Sequence, residues 1–402
     1  MNREDLPSVG VVGGGAVGVT VAGDLAARGA RVTLFERETL GAGSSGRAAG
    51  VVYDAFAEDI DAAIAARSLE RFRSLSLSLP DVTFTSRPYV IAVREGDGDA
   101  DAVPAMVDRM CGHGRDVSVV DPDALADRFS RTGLATADLA VAAVATGAGW
   151  ADPASYVRAM ATRARRRGVR IETGVTVALD PSDPARVRIA DASDDRWTRE
   201  RVSFDAVVVA AGAHTERLLA TADVSVPVKP YRVQALVSRA PYDGPMVYDA
   251  TAETYLRPHP AGLLAGDGAE PLATGPDEYD READDSFVES IGETLRTRVG
   301  HDPVVERAWA GLCTATPDGD PIVGPIDGGP FVAAGWQGHG FMRAPAIGEL
   351  VAEGVLATLS GVEPDDPDSP WVEAFDPSRF DGDESVVVRE GITVGRADDP
   401  TE

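Results

Sequence analysis

A chain that sets three glycines between a valine pair and a helix-like run has few ways to fold there. Val11 to Gly18 is VVGGGAVG. The apolar SVGVV that leads into it suits a buried strand, and Ala16 to Arg28, with Gly29 as a stop, suits a helix. Between them lies Gly13-x-Gly15-x-x-Gly18. The first glycine of such a loop allows the tight turn, the second lets a pyrophosphate approach the backbone, and the third lets helix and strand pack closely. The helix N-terminus then faces the phosphates. Arg31 to Glu36, RVTLFE, makes the next strand, and Glu36 closes it near the roughly 20-residue spacing at which an acid meets the ribose hydroxyls. The pattern predicts a β-α-β unit that holds a dinucleotide. Glu36 would repel a 2′-phosphate, which disfavours NADP. NAD and FAD both remain open on the loop alone.

Charge narrows the partners. Over 402 residues the formal net charge is −27, and Lys229 is the single lysine among 38 basic residues. Such acidity repels a polyphosphate backbone, so no nucleic-acid partner is expected. The acid is spread along the chain, as on a solvated surface suited to a salt-rich cytoplasm where counterions screen self-repulsion. No apolar run reaches the roughly 18 residues of a membrane span. The start, MNREDLPSVG, lacks the apolar core of a signal peptide, so a cytoplasmic location and no membrane partner are expected. Two cysteines, Cys111 and Cys313, make neither a disulfide framework nor a metal site, and no metal is expected. No Ser-His-Asp arrangement is visible.

Further elements follow from periodicity and punctuation. Asp59 to Leu79 has helical spacing; Tyr89 to Val93 is a strand; Asp97 to Asp101 is a polar loop. Asp152-Pro153 caps a helix that ends at Gly168. Val169 to Asp180 is strand-like, and Asp180 to Asp195 is a loop-rich hairpin region. Phe204 to Ala211, FDAVVVAA, is a continuous apolar run typical of a parallel strand buried on both faces. Val228 to Ser238 and Thr254 to Gly266 suit antiparallel strands. Pro330 to Gly335 is a last strand, and Ala344 to Gly361 a last helix. Beyond Pro364 the chain is rich in Pro and Asp apart from SVVVRE, a composition that favours partial disorder.

Four segments, in this order, carry a resemblance that runs from about Val9 to about Gly361. They are Gly43-Ser44-Ser45-Gly46-Arg47-Ala48-Ala49-Gly50; Val207 to Ala213, VVVAAGA; Trp309-Ala310-Gly311-Leu312 followed by Thr316 to Gly324, TPDGDPIVG; and Ala334 to Phe341, AGWQGHGF. The chain resembles the D-amino acid oxidase-like flavoproteins, which include glycine oxidase and sarcosine oxidase. The resemblance implies an α/β fold: a Rossmann-type FAD-binding domain with an inserted antiparallel-sheet substrate domain. The FAD-binding domain would gather 1–85, 146–226 and 308–362, the substrate domain 86–145 and 227–307, and 363–402 would be an acidic tail. It implies FAD as cofactor, contacted by Gly13, Gly15, Ala16, Val17, Gly18, Glu36, Arg37, Ser44, Ser45, Arg47, Ala48, Ala49, Val175, Ala211, Gly212, Gly311, Gly338, His339, Gly340, Phe341 and Met342. The helix N-terminus after Gly338-His339-Gly340 would lie by the flavin. The cysteine that bonds flavin covalently in some relatives falls at Gly311, so FAD is expected to be non-covalent.

On the substrate side, Tyr255 matches a substrate-facing tyrosine of glycine oxidase-like proteins, and Arg257 shares its strand face. The usual carboxylate anchors are replaced: Cys313 stands where glycine oxidase-like proteins have arginine, and Met342 where monomeric sarcosine oxidase-like proteins have lysine. Arg47, Arg232, Arg257 and Arg343 are the alternatives, with Arg257 and Arg343 first because an arginine fork suits a carboxylate; an amine without a carboxylate also fits. His339 could bond flavin or substrate, and His214 is expected to be structural. The implied reaction is oxidation of the C–N bond of an amino acid or N-methylated amine, with oxygen or an electron carrier as acceptor. Two alternatives stand: oxidation of a 2-hydroxy acid, with His339 as base, and a flavin-binding subunit of a larger complex.

Overall fold

A computed structural model describes residues 6–193, 201–239, 241–267, 273–361, 373–381 and 384–388. A six-stranded sheet forms the first layer, in the order Ile322–Pro325, Phe331–Ala334, Ala206–Val209, Ser8–Val12, Arg31–Glu36, Arg170–Thr173. Its strands run parallel, except that Ile322–Pro325 pairs antiparallel with Phe331–Ala334. The apolar run at Val207 to Val209 is explained by burial on both faces. Val208 belongs to the core under the helices, and Val207 and Val209 to the core on the opposite face.

Helices Ala16–Ala27, Asp59–Ser78, Pro153–Arg166 and Gly340–Ser360 pack against one another beside this sheet. Contact between the first and last is close: a Cβ on Gly348 would come within 2.4 Å of the Thr20 side chain. Asp152 caps Pro153–Arg166 through the amide of Ser155. The last helix begins at Gly340, ahead of the sequence estimate of Ala344, and Pro345 lies inside it.

A second sheet of eight strands has the order Val305–Ala315, Lys229–Ser238, Gly262–Gly266, Thr254–His259, Met246–Asp249, Tyr89–Arg94, Leu139–Ala145, Val117–Val120. It is not purely antiparallel: Met246–Asp249 runs parallel to Tyr89–Arg94. Thr254 to Gly266 is a hairpin of two strands. Alternation decides the two faces. Tyr89, Ile91, Met246 and Tyr248 point into the core shared with the helices, while Val90, Ala92, Val247 and Leu256 lie with Phe287, Ile291 and Leu295 of helix Asp285–Val299.

Several elements depart from expectation. Helices Val103–Gly112, Pro122–Arg128 and Asp285–Val299 interrupt segments assigned to sheet. Asp97 caps a short 3₁₀ turn, Gly98–Ala102, where a plain loop was expected. The loop-rich hairpin contains a nine-residue strand, Asp183–Asp191, antiparallel to Val175–Asp180. Part of the expected disordered tail is packed. Phe375 is fully buried, its carbonyl accepts from the Val323 amide, and Arg379 pairs with Asp318. The rest of the tail, 362–372, 382–383 and 389–402, lies outside the described residues, as does the end of the hairpin region after Ser193.

Candidate active site

The glycine loop has the geometry its pattern requires. Gly13 has φ +116, and a Cβ there would lie 2.2 Å from the Ala210 carbonyl oxygen. A Cβ on Gly18 would lie 1.9 Å from the Gly13 carbonyl oxygen, so only glycine lets this helix meet its strand. Gly15 has more room, with only Ser45 Oγ at 3.0 Å. Ser45 Oγ accepts from the Ala16 amide at 2.9 Å and ties the second segment, Gly43 to Gly50, to the helix start. Glu36 is fixed at its strand end by the amides of Gly14 (2.7 Å) and Glu38 (2.8 Å).

These groups open onto a cavity of about 530 Å³ between the two large sheets. Of the residues expected to contact a cofactor, all but Gly18 line it; Gly18 acts through helix packing. At the Glu36 end, Asp277 draws in Arg37 (3.0 Å), His214 (3.0 Å) and Arg217 (2.8 Å). Burial alone would raise the Asp277 carboxyl, but His214 and Arg37 outweigh it and hold it below the usual carboxylate range. His214 is thus part of a polar clasp on the cavity wall.

Farther along, the stem of Arg47 lies on Gly311, where a Cβ would come within 3.2 Å of it. Arg47 donates to the carbonyls of Ala42 and Gly43, and its own carbonyl accepts from Trp309 Nε1 at 3.0 Å. Gly335, Gln337 and Gly338 all have positive φ (+77, +46, +78), which bends the chain from strand Phe331–Ala334 into the last helix. Gly340, Phe341 and Met342 bring that helix's first turn to the cavity, and no side chain caps it.

The far end is aromatic. Tyr53, Tyr89, Tyr248 and Tyr255 line it with His339. Tyr53 stacks on Tyr89 (centroids 4.8 Å), and its hydroxyl lies 3.1 Å from His339 Nε2. Burial, reinforced by the neighbouring tyrosines, pushes the Tyr89 hydroxyl well above its ordinary range, so it stays protonated. Half-buried His339 is pushed down to about 3 by burial and by Arg343, so its ring is neutral.

The two arginines ranked first for a carboxylate do not line this cavity. Arg257 does leave the strand on the face of Tyr255, but its guanidinium passes behind the wall to the carbonyls of Ala49 and Pro258, over the Trp150 ring at 4.5 Å. It is 2 % exposed, and burial lowers its pKa to about 10. Arg343, one helical step on from Met342, turns away to pair with Asp61 and lies over Phe56. Arg232 is held by Asp284 and by the carbonyls of Asp280 and Glu282. Sequence reasoning missed Tyr53, Tyr89, Tyr248 and the Asp277 clasp. The only available signal was alternation in YVIAVR and MVYD, which puts Tyr89 and Tyr248 on the face opposite Val90 and Val247.

A nucleotide-binding loop, an acid at the second strand end and an aromatic compartment under a bare helix terminus define a dinucleotide-dependent oxidoreductase. The cavity of about 530 Å³, the glycines that a Cβ would block and the Glu36 carboxylate at the second strand end fit FAD. The chain belongs to the FAD dependent oxidoreductase family (DAO), which matches residues 8–354. It is similar to a glycine oxidase of Geobacillus kaustophilus (28 % identity; 86 % of this chain, 92 % of that one). It is also similar to a 4-methylaminobutanoate oxidase (formaldehyde-forming) of Paenarthrobacter nicotinovorans (29 % identity; 92 % of this chain, 45 % of that one). Among solved structures, L-proline dehydrogenase from P. horikoshii superposes with TM-score 0.81 at 26 % identity, over 94 % of this chain and 99 % of that one.

Proposed function

We propose that this FAD-dependent enzyme oxidises the C–N bond of an amine or amino acid. The observation that carries the reading is the joining, in one cavity, of the nucleotide cradle to a tyrosine compartment beneath the Gly340 helix terminus. The relatives named for amino compounds support it. When bound, FAD would supply the hydride acceptor for the carbon beside the nitrogen, and hydrolysis of the C=N bond would release a carbonyl compound and ammonia or a smaller amine. The chain's own part is to orient the amine and exclude water. The aromatic walls and the neutral His339 suit that part. A ring with pKa about 3 is a weak base, which argues against the hydroxy-acid alternative.

Four subsidiary proposals accompany this reading. FAD is held without a covalent bond, because Gly311 offers no side chain and Cys313 is displaced from that position. The division into FAD-binding and substrate units at the boundaries given above organises the site. Oxygen or an electron carrier restores the cofactor. The acidic surface suits a salt-rich cytoplasm. The test is anaerobic mixing of the holoenzyme with amines, amino acids and 2-hydroxy acids while the visible flavin band is followed. Bleaching by an amino compound, with a carbonyl product, is expected; bleaching by hydroxy acids alone would overturn the reading.

A further inference from the structure

We propose that the substrate is a carboxylate-free amine, and that the tyrosine compartment selects a second positive charge at its far end. The proposal rests on the C–N reading and names the substrate class of that site.

The first observation is the wall itself. Tyr248 is the register partner of Tyr255, and Met246, on the same face as Tyr248, is the partner of Tyr89. Three strands therefore aim tyrosines at one space, and Tyr53 closes it by stacking on Tyr89. Ring faces carry negative potential and attract ammonium groups and the C–H bonds beside them.

The second observation concerns the basic side chains that line the cavity. Arg37, Arg217 and His214 are drawn to Asp277, Arg281 lies 3.6 Å from Glu38, and Arg47 donates to the carbonyls of Ala42 and Gly43. The first four belong to the nucleotide side, and the Arg47 guanidinium is turned back onto its own loop. Beside the tyrosines stands His339, a neutral ring. Cys313 and Met342 also line the cavity and bring no charge. Among the described residues, no arginine or lysine meets a substrate at the tyrosine end. A carboxylate there would be desolvated with hydroxyls and amides alone to offset it, a heavy penalty.

The third observation gives the sign of the preference. Asp267 and Glu253 also line the cavity. Asp267 follows Gly266, the register partner of Tyr255, and Glu253 lies two residues before Tyr255. The acids thus sit together at one edge of the tyrosine wall. A second ammonium group would meet them there, while a carboxylate would be repelled.

The decisive probes share one methylamino end and one chain length: N-methyl-1,4-diaminobutane and 4-methylaminobutanoate. Holoenzyme at fixed salt is mixed anaerobically with each, and the second-order rate constant for bleaching is measured beside the dissociation constant from the spectral shift. The diamine is expected to react at least tenfold faster at low concentration and to bind more tightly. Asp267→Asn with Glu253→Gln should narrow that gap several-fold by weakening diamine binding, while the aminobutanoate gains. An equal or faster reaction with the aminobutanoate, or bleaching by amino acids and not by the diamine, would overturn this inference and leave C–N oxidation standing. Bleaching by 2-hydroxy acids alone would instead overturn the C–N reading itself.

Discussion

The Tyr53 hydroxyl and His339 Nε2 lie 3.1 Å apart, and this contact joins the segment after Gly50 to the start of the last helix. It also fixes how the site responds to acid. His339 has a folded pKa of about 3, below the 6.5 of an unperturbed ring. Between those values the unfolded chain binds the extra proton, so stability is full above about pH 6.5 and is lost as pH falls. At pH 5 this one ring should account for about 1–2 kcal/mol of lost stability. His339→Gln keeps a hydrogen-bonding group near Tyr53 and cannot titrate. Thermal melts at pH 8 and pH 5 should show a smaller acid-induced drop in the variant. Equal drops would mean that His339 is charged in the folded protein.

The two ends of the glycine motif should fail differently. A Cβ at Gly18 meets the Gly13 carbonyl at 1.9 Å, whereas one at Gly15 meets only Ser45 Oγ, at 3.0 Å. Gly18→Ala forces helix Ala16–Ala27 off its strand and is expected to give little folded protein. Gly15→Ala should fold with Tm within about 2 °C of the parent apoprotein, at a cost of about 1 kcal/mol as the Ser45 side chain gives way by a few tenths of an ångström. It should nevertheless retain little FAD, because the methyl occupies the phosphate approach. The flavin-to-protein absorbance ratio after gel filtration, measured beside Tm, separates the two effects.

These glycines also show what was legible in the chain. Gly13, Gly15, Gly18 and Glu36 lie in one short segment, and backbone conformation makes their requirements local. The buried strand around Val208 was legible because burial on both faces leaves no polar position. The aromatic end was not. Residues 53 and 89 meet 248 and 255 only when segments distant in sequence come together, and alternation tells the face but not the neighbour. Arg257 shows the limit. Its face follows from period two, yet a long side chain can leave that face and end 208 residues away in sequence, on the Ala49 carbonyl.

Asp277 holds two arginines and His214 from the nucleotide-binding side, while the chain that carries it continues into Asp284, which binds Arg232 of the second sheet. Removing the carboxylate charge should loosen this clasp over the cofactor. Asp277→Asn is predicted to raise the FAD dissociation constant about tenfold, equivalent to about 1.4 kcal/mol, through loss of charge-assisted bonds. The groups are partly exposed, so the difference should shrink as salt screens them. Flavin fluorescence during dilution reports release directly. An unchanged constant at low salt would show that the clasp does not retain cofactor.

Arg298 provides the opposite case, an ion pair that salt should not reach. It is 1 % exposed and donates to Asp249, also 1 % exposed, at 2.8 Å, and to Asp138 at 2.9 Å. Arg94 shares Asp249 at 2.7 Å. The network pins helix Asp285–Val299 to the strand that carries Tyr248. Removing one partner leaves buried charge short of compensation, and such losses are about 3–5 kcal/mol. Because Arg94 remains, Arg298→Ala should fall near the lower bound, about 3 kcal/mol, which lowers Tm by about 4 °C. A net charge of −27 makes the whole protein gain stability with salt, as exposed repulsion is screened. The deficit of the variant should therefore stay constant while both melting curves move up together. A deficit that closes in concentrated salt would mean that water and ions reach the network, and that Asp249 is held by screening and not by Arg298.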